Sequence, residues 1–341
     1  MIDLLVDKIQ ALQNPTVVGL DPRLSMIPEH IRQQAFETYG PVSYTHLILT
    51  AGPDSVEPQV YSVLINVRLP RINLAVLCGA GLAVSGAAFQ SIFSNALATP
   101  DTLGVAAGAS FGAALALMLK AGLIVVQLTA LTVGFVAVVL TYLISRQRQG
   151  VSTVMVVLSG MVIASLFEAG ISIIKFVADT ESQLPAITYW LMGSLSNTNY
   201  RSLALGAPFI MIGIGVIFAL RWKLNVLMLS EEEAKTMGVN VKLMRVIVAL
   251  AATMITASCV SMCGQVGWVG LLIPHICRML FGSNNRQVVP ASISLGASFL
   301  LIMDTVARSA TAAEIPISIL TAMIGAPFFI LLLKKTGGAN L

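Results

Sequence analysis

An all-α bundle of membrane-crossing helices is the fold this sequence predicts, and three observations predict it. Hydrophobic residues make up 56% of the 341 residues and charged residues only 11%, against roughly a quarter charged in an ordinary soluble domain. The apolar residues gather into runs of about 20, the length that crosses a bilayer as a helix. Those runs do not alternate with period two, so backbone groups that find no water in lipid must be paired within helices.

The runs follow one another in order. The first covers residues 71–93. The second, 103–120, carries Gly104, Gly108 and Gly112, a repeated small-residue face that lets helix backbones approach where lipid supplies no hydrophobic drive. Residues 123–145 and 152–177 come next, then 202–221 and 246–263. The seventh, 268–281, is short and contains Pro274 and His275, so it reads as a broken or partly submerged helix. Residues 288–307 and 316–333 complete about nine spans. Cys78, Cys259, Cys263 and Cys277 lie in or beside these runs at no recognised metal spacing; they read as packing thiols, and no metal site is expected.

Charges between the runs set the orientation. Arg146, Arg148, Arg221, Lys223, Lys235, Lys242, Arg245, Arg278 and Arg286 share one side with Lys334 and Lys335. The other side holds Arg68, Arg71, Lys120, Lys175, Arg201 and Arg308, balanced by Asp54, Glu57, Asp179, Glu181, Asp304 and Glu314. Positively charged loops stay in the cytoplasm, so the first side and the C-terminus are expected there. The longest connection on that side, 224–245, contains Glu231, Glu232, Glu233, Ala234 and then Gly238. Carboxylates at the positive end and a glycine stop suit a short amphipathic helix, either a solvated loop helix or a docking element for a cytoplasmic partner.

Read together, "RLPR" (68–71), "GAGLAVSGAAFQSIFSNALATPDTLGVAAGAS" (79–110), "WLMGSL" (190–195), "SEEEAKTMGV" (230–239), "GWVGLLIPHICRMLFGSNNR" (267–286) and "MDTVARSATAAEIPISILTAMIGAPFFILLLKK" (303–335) closely resemble the FecCD-type permease subunits of ABC importers for iron–siderophore complexes, haem and vitamin B12. The resemblance runs from about residue 55 to 335 and implies a transport subunit, not an enzyme. Members of that family have ten spans, so the first is missing here. They pair as homodimers or close heterodimers in the bacterial cytoplasmic membrane, sit on two cytoplasmic ATPase subunits that use ATP and Mg, and receive cargo from an extracytoplasmic substrate-binding protein. No cofactor bound by this chain and no nucleic-acid partner are expected.

The resemblance also assigns residues. Ser230, Glu231, Glu232, Glu233, Ala234 and Gly238 match the family's ATPase-coupling segment, with Ser230 where a glycine is usual. Arg68, Arg71 and Arg308 match outward-facing arginines that accept carboxylates of the binding protein, a use that fits guanidinium geometry; arginines snorkelling at the lipid interface are the alternative. Asn95 and Leu97, in the turn after the first run, and Ser152 and Thr153, opening the fourth, fall where the family builds its cytoplasmic constrictions. Here "NALA" stands for the usual "NPLA", which removes a stiffening proline. A polar cap is the other reading of Ser152 and Thr153.

Glu168 matches no motif. A carboxylate inside a span is costly enough to mark a functional candidate, facing the translocation pathway or paired with a polar group on a neighbouring helix. No G-x-x-x-x-G-K-[ST] phosphate loop occurs in the chain, so ATP hydrolysis belongs to a separate subunit. No paired small-substrate site with coupling-ion carboxylates stands out, which disfavours a secondary transporter.

The N-terminus reads differently. "NPTVVGLDPRLSMIPEHI" (14–31) resembles the opening of orotidine 5′-phosphate decarboxylase, with Asp21 at the matching aspartate. That family's later Lys/Asp cluster has no counterpart, and a (β/α)₈ barrel needs roughly 200 residues or more, so no decarboxylase activity is expected. The sequence thus divides into a non-family segment, 1–45, and a permease domain, 46–335, containing the coupling segment 224–245. The junction "PVSYTHL" reads as a splice from sequence assembly or gene fusion.

Overall fold

The computed structural model describes residues 58–147, 150–151, 153–196, 198–229, 231–311 and 314–336. The decarboxylase-like stretch with Asp21, and also Ser152 and Ser230, lie outside the described residues.

The first helix is longer than the sequence predicts. Its main segment, α1 (Leu69–Ile92), continues a turn of α-helix at Pro58–Ser62 and a π-helical segment at Val63–Arg68. Pro70, lacking an N–H and crowding the preceding carbonyls, follows directly on the widened π turn that absorbs this disruption. Arg68 and Arg71 therefore lie within a helix and not at its start.

A 3₁₀ turn, Pro100–Leu103, leads into α2 (Val105–Met118) and α3 (Leu123–Ser145). A two-residue antiparallel ladder, β1 (Arg146–Gln147) with β2 (Gly150–Val151), carries the chain into α4 (Thr153–Val177). There follow α5 (Gln183–Leu191), α6 (Tyr200–Ala219), α7 (Lys223–Leu227), α8 (Glu231–Thr236), α9 (Val241–Cys263), α10 (Val269–Phe281), α11 (Asn285–Ser309) and α12 (Ile317–Thr336). Asparagine side chains begin three of them: Asn199 accepts from the Ser202 N–H, Asn240 from Leu243 and Asn284 from Arg286.

About nine spans were expected, the seventh of them short; among the described residues six helices are long and apolar enough to cross a membrane, and Val105–Met118, Val269–Phe281 and Ile317–Ile330 are apolar but shorter. The 13 residues of α10 rise about 20 Å, less than a bilayer's ~30 Å core. That agrees with the broken or submerged helix read from Pro274 and His275.

The bundle is built around two helices. Nearly four fifths of the apolar window of α1 is buried, and a similar share of α9, whereas α4 buries only 22% of its own. Helices apolar all round belong at such a centre. At the α1–α11 crossing, Gly79 and Gly296 touch backbone to backbone, so a Cβ on either would collide with the other's carbonyl. Gly108 and Gly112 make the seam that the sequence predicts, against Ala137, Val133 and Thr129 of α3. Gly104 does not join it; with φ +75° it forms the turn into α2 and lies against α4. Buried polar pairs add specificity between spans: Gln127 and Ser202 exchange two hydrogen bonds across α3 and α6, at 3.0 and 3.1 Å. All four cysteines are buried and free, with Cys263 Sγ 3.9 Å from Cys78 Sγ.

Candidate functional site

Two ends of the bundle carry the residues singled out in the sequence. At one end, Arg71 reaches from α1 to α11 and the segment before α12. Its Nε donates to Asp304 Oδ1 at 2.9 Å and its terminal nitrogens bind Asp304 Oδ1 at 2.9 Å and Glu314 Oε1 at 2.8 Å. Arg308 Nε shares the same Asp304, 3.2 Å from Oδ2. Asp304 is fully buried, the Arg71 side chain 8% exposed and Glu314 about a third exposed. The sequence puts three outward guanidiniums at this end with the acids as nearby counter-charges. In the fold, Arg71 and Arg308 are already engaged by acids of their own chain, because α1 and α11 close at Gly79–Gly296 and bring residues 71 and 304 together. Arg68, one turn earlier on the π-helical segment, is half-buried.

At the other end lies the turn after α1. Asn95 closes it twice, its side chain accepting from the Leu97 N–H at 2.9 Å and its carbonyl from Ala98 at 3.1 Å. Such an Asx turn holds the loop in shape without the proline that "NALA" lacks. Ser94, at φ +46°, takes the left-handed conformation that ends the helix. Phe93, Ser94, Asn95, Leu97, Ala98 and Thr102 face Val154, Val157 and Leu158 of α4 across a cleft of about 580 Å³. The two segments that the sequence assigns to one constriction therefore converge. Of Thr153 only its backbone, opening α4, is described.

Glu168 sits farther along α4 on an exposed position. Fourteen residues separate it from Val154, about four helical turns, which puts it on the cleft-lining side roughly 21 Å away. Among the described residues no side chain meets its carboxylate, so the pairing with a neighbouring helix that the sequence left open is not found among them.

In residues 224–245 the short helix and glycine stop read from the sequence form, with an added helix. Here α8 is a single short helix, Gly238 stops it at φ +72°, and no atom lies within 4 Å of where a Cβ would be. Six residues make a marginal helix in isolation. Burial of Ala234 and Val239, and of Leu224 and Leu227 on α7, anchors this one to the main core. Glu232, Glu233 and Met237 face outward; the side chain of Glu231 lies outside the described residues. The sequence reading missed α7, too short and too near the fifth span to show its own period. It also missed α5, for which a signal existed: Asp179 accepts from the Ser182 N–H and hydroxyl at 2.8 and 2.6 Å, while Gln183 Oε1 accepts from the Asp179 N–H. This reciprocal capping holds the exposed Asp179 carboxyl below its usual range, chiefly through the Ser182 hydroxyl.

This arrangement has relatives. The profile of the FecCD transport family matches residues 37–335, beginning closer to the N-terminus than the boundary at 45 read from the sequence. The molybdate import system permease protein MolB of Haemophilus influenzae is 41% identical over 84% of this chain and 85% of its own length. A probable iron chelatin transport system permease of Helicobacter pylori is 36% identical over 81% and 83%. A solved metal-chelate type ABC transporter, in an inward-facing conformation, superposes with a TM-score of 0.77 at 40% identity over 82% of this chain and 90% of that one. With its family profile, its relatives and its multi-pass helical bundle in agreement, the chain belongs to the FecCD transport family, as a membrane-embedded permease subunit of an ABC importer and not an enzyme.

Proposed function

We propose that this permease carries an iron–siderophore or related metal chelate, with vitamin B12 and haem as the nearest alternatives, and that it does so with its Asn95 end and C-terminus in the cytoplasm. The observation that carries the orientation is the surface of α8: outward carboxylates and a methionine, held on buried apolar anchors at the same end as the Asn95 cleft. On this reading α8 docks one of two ATPase subunits, where ATP and Mg²⁺ are consumed. The cleft between the Asn95–Leu97 turn and α4, with Ser152 and Thr153, is the inner gate. A second permease copy, or a close homologue, meets the exposed face of α4 and encloses the pathway along which Glu168 stands. Arg68, Arg71 and Arg308, at the opposite end, take part in receiving the substrate-binding protein.

A second reading, molybdate, is favoured by the 41% identity to the molybdate permease. Glu168 separates the two. A carboxylate in a weakly screened passage repels a free dianion and attracts the exposed metal or basic groups of a chelate. Proteoliposomes holding the full importer are supplied with ATP and labelled iron chelate or labelled molybdate. Chelate uptake that falls about tenfold in Glu168→Gln, the scale of one lost charge interaction of ~1.4 kcal/mol, supports the first reading. Molybdate uptake that rises in the same variant supports the second, and unchanged uptake of both removes Glu168 from the pathway.

A further inference from the structure

A chain of amides and hydroxyls, buried at its centre, joins the segment ahead of α8 to the gate turn. Asn225, on α7, donates through Nδ2 to Asn284 Oδ1 at 2.8 Å and accepts through Oδ1 from the Asn285 N–H at 2.8 Å. It thereby grips the start of α11. The Asn285 side chain points on into the bundle. Its Oδ1 accepts from the Ser91 hydroxyl at 3.2 Å, and its Nδ2 lies 3.4 Å from Met228 Sδ. Ser91 is on the last turn of α1, and three residues later Ser94 Oγ reaches the Met228 carbonyl at 3.5 Å. Asn285 and Ser91 are both fully buried. Polar groups at that depth specify one arrangement because leaving them unpaired is costly.

One link is made to break and remake. The Ser91 hydroxyl has one proton and two acceptors, Asn285 Oδ1 and the Ala87 carbonyl at 2.8 Å on its own helix. If α11 and α7 shift away, the proton stays satisfied by Ala87, so Ser91 can release Asn285 without being left unpaired. The same end of α1 is tied to α10 by Gln90, which accepts from Arg278. The end of α1 that leads into the turn is therefore tied to α10 and α11.

We propose that Asn225, Asn285 and Ser91 are positioning residues that transmit the displacement of α8 to the Asn95–Leu97 turn. This rests on α8 being the ATPase docking helix. Coupling requires an element with two discrete arrangements biased from both sides, and the Ser91 proton, within reach of an acceptor for each, is the element this proposal assigns.

The test uses the permease purified with its cognate ATPase in nanodiscs, with Ala96→Cys as a reporter between Asn95 and Leu97. The native cysteines are buried and do not react with a membrane-impermeant maleimide. ATP with vanadate is expected to shift the labelling rate of the reporter. In Asn285→Ala the ATPase still associates and hydrolyses, but the shift is about tenfold smaller, as when a buried polar network loses one member. Asn285→Asp keeps the oxygen facing Ser91, at the positively polarised start of α11, and restores the shift; failure to restore it assigns Asn285 to packing and overturns the relay. Ser91→Ala and Asn225→Ala break other links and give the same loss, so the test stands even if Asn285→Ala does not assemble. An undiminished shift in the alanine variants overturns the relay, as does an unsubstituted complex that hydrolyses ATP with no shift at all. An ATPase that fails to associate with the unsubstituted permease overturns the docking reading, and the relay falls with it.

Discussion

Arg71 shows how one residue can hold two ends of a sequence together. Its guanidinium fixes Asp304 and Glu314, 233 and 243 residues away, and Arg308 completes the charge balance around Asp304. Removing one partner of a buried ion pair leaves an uncompensated charge, at about 3–5 kcal/mol. Asp304→Ala, which strands Arg308 and leaves Arg71 with Glu314 alone, is therefore expected to lower Tm sharply in detergent; an unchanged Tm would mean the cluster contributes nothing to folding. The sequence placed Arg71, Arg308, Asp304 and Glu314 on one side of the membrane by charge alone. It could not pair them, because pairing depends on how α1 crosses α11. Asn95 was singled out by the family resemblance and not by its turn, although that turn is local: the side chain accepts from the amide two residues on.

Helices succeed or fail here by their closest approaches. Gly79 on α1 has no room for a methyl group beside Gly296, whereas Gly215 on α6 has nothing within 4 Å of a Cβ position. Gly79→Ala is expected to force α1 and α11 apart at a cost of about 1–3 kcal/mol. Gly215→Ala, by the entropy argument for glycine in a helix, is expected to be neutral or stabilising by about 0.5–1 kcal/mol. Parallel unfolding of the two variants checks the pair, and equal effects would contradict the packing described. Long apolar runs made most helices readable from the sequence, because periodicity and length are local properties. Two features escaped for physical reasons. The first helix runs back to Pro58 through a charged, proline-containing stretch that looks like an end, and α5 is signalled by capping groups more than by its apolar content.

At the scale of the whole molecule, α8 and the Asn95 turn share one end and the arginine cluster occupies the other, which is the placement the proposed docking and gating roles require. Glu232, exposed at the start of α8, is expected to contribute through charge: Glu232→Lys should weaken co-purification of the ATPase while leaving the Tm of the permease unchanged, and equal loss of both would point to misfolding instead. Family membership was legible because its motifs are contiguous stretches of sequence, in helices as well as in turns, and need no tertiary information to recognise. The cargo was not, since on the proposed assembly the pathway is completed by surfaces such as that of α4 that one chain does not enclose. The Arg71 cluster has one more consequence, for biosynthesis. Arg71 emerges from the ribosome 233 residues before Asp304, which at about 5–20 residues per second is a delay of roughly ten to fifty seconds. Throughout that interval the first helix must lodge in the bilayer with its arginine at the aqueous boundary, and only the arrival of α11 draws the charge inward, so the last quarter of translation sets the final depth of the first helix.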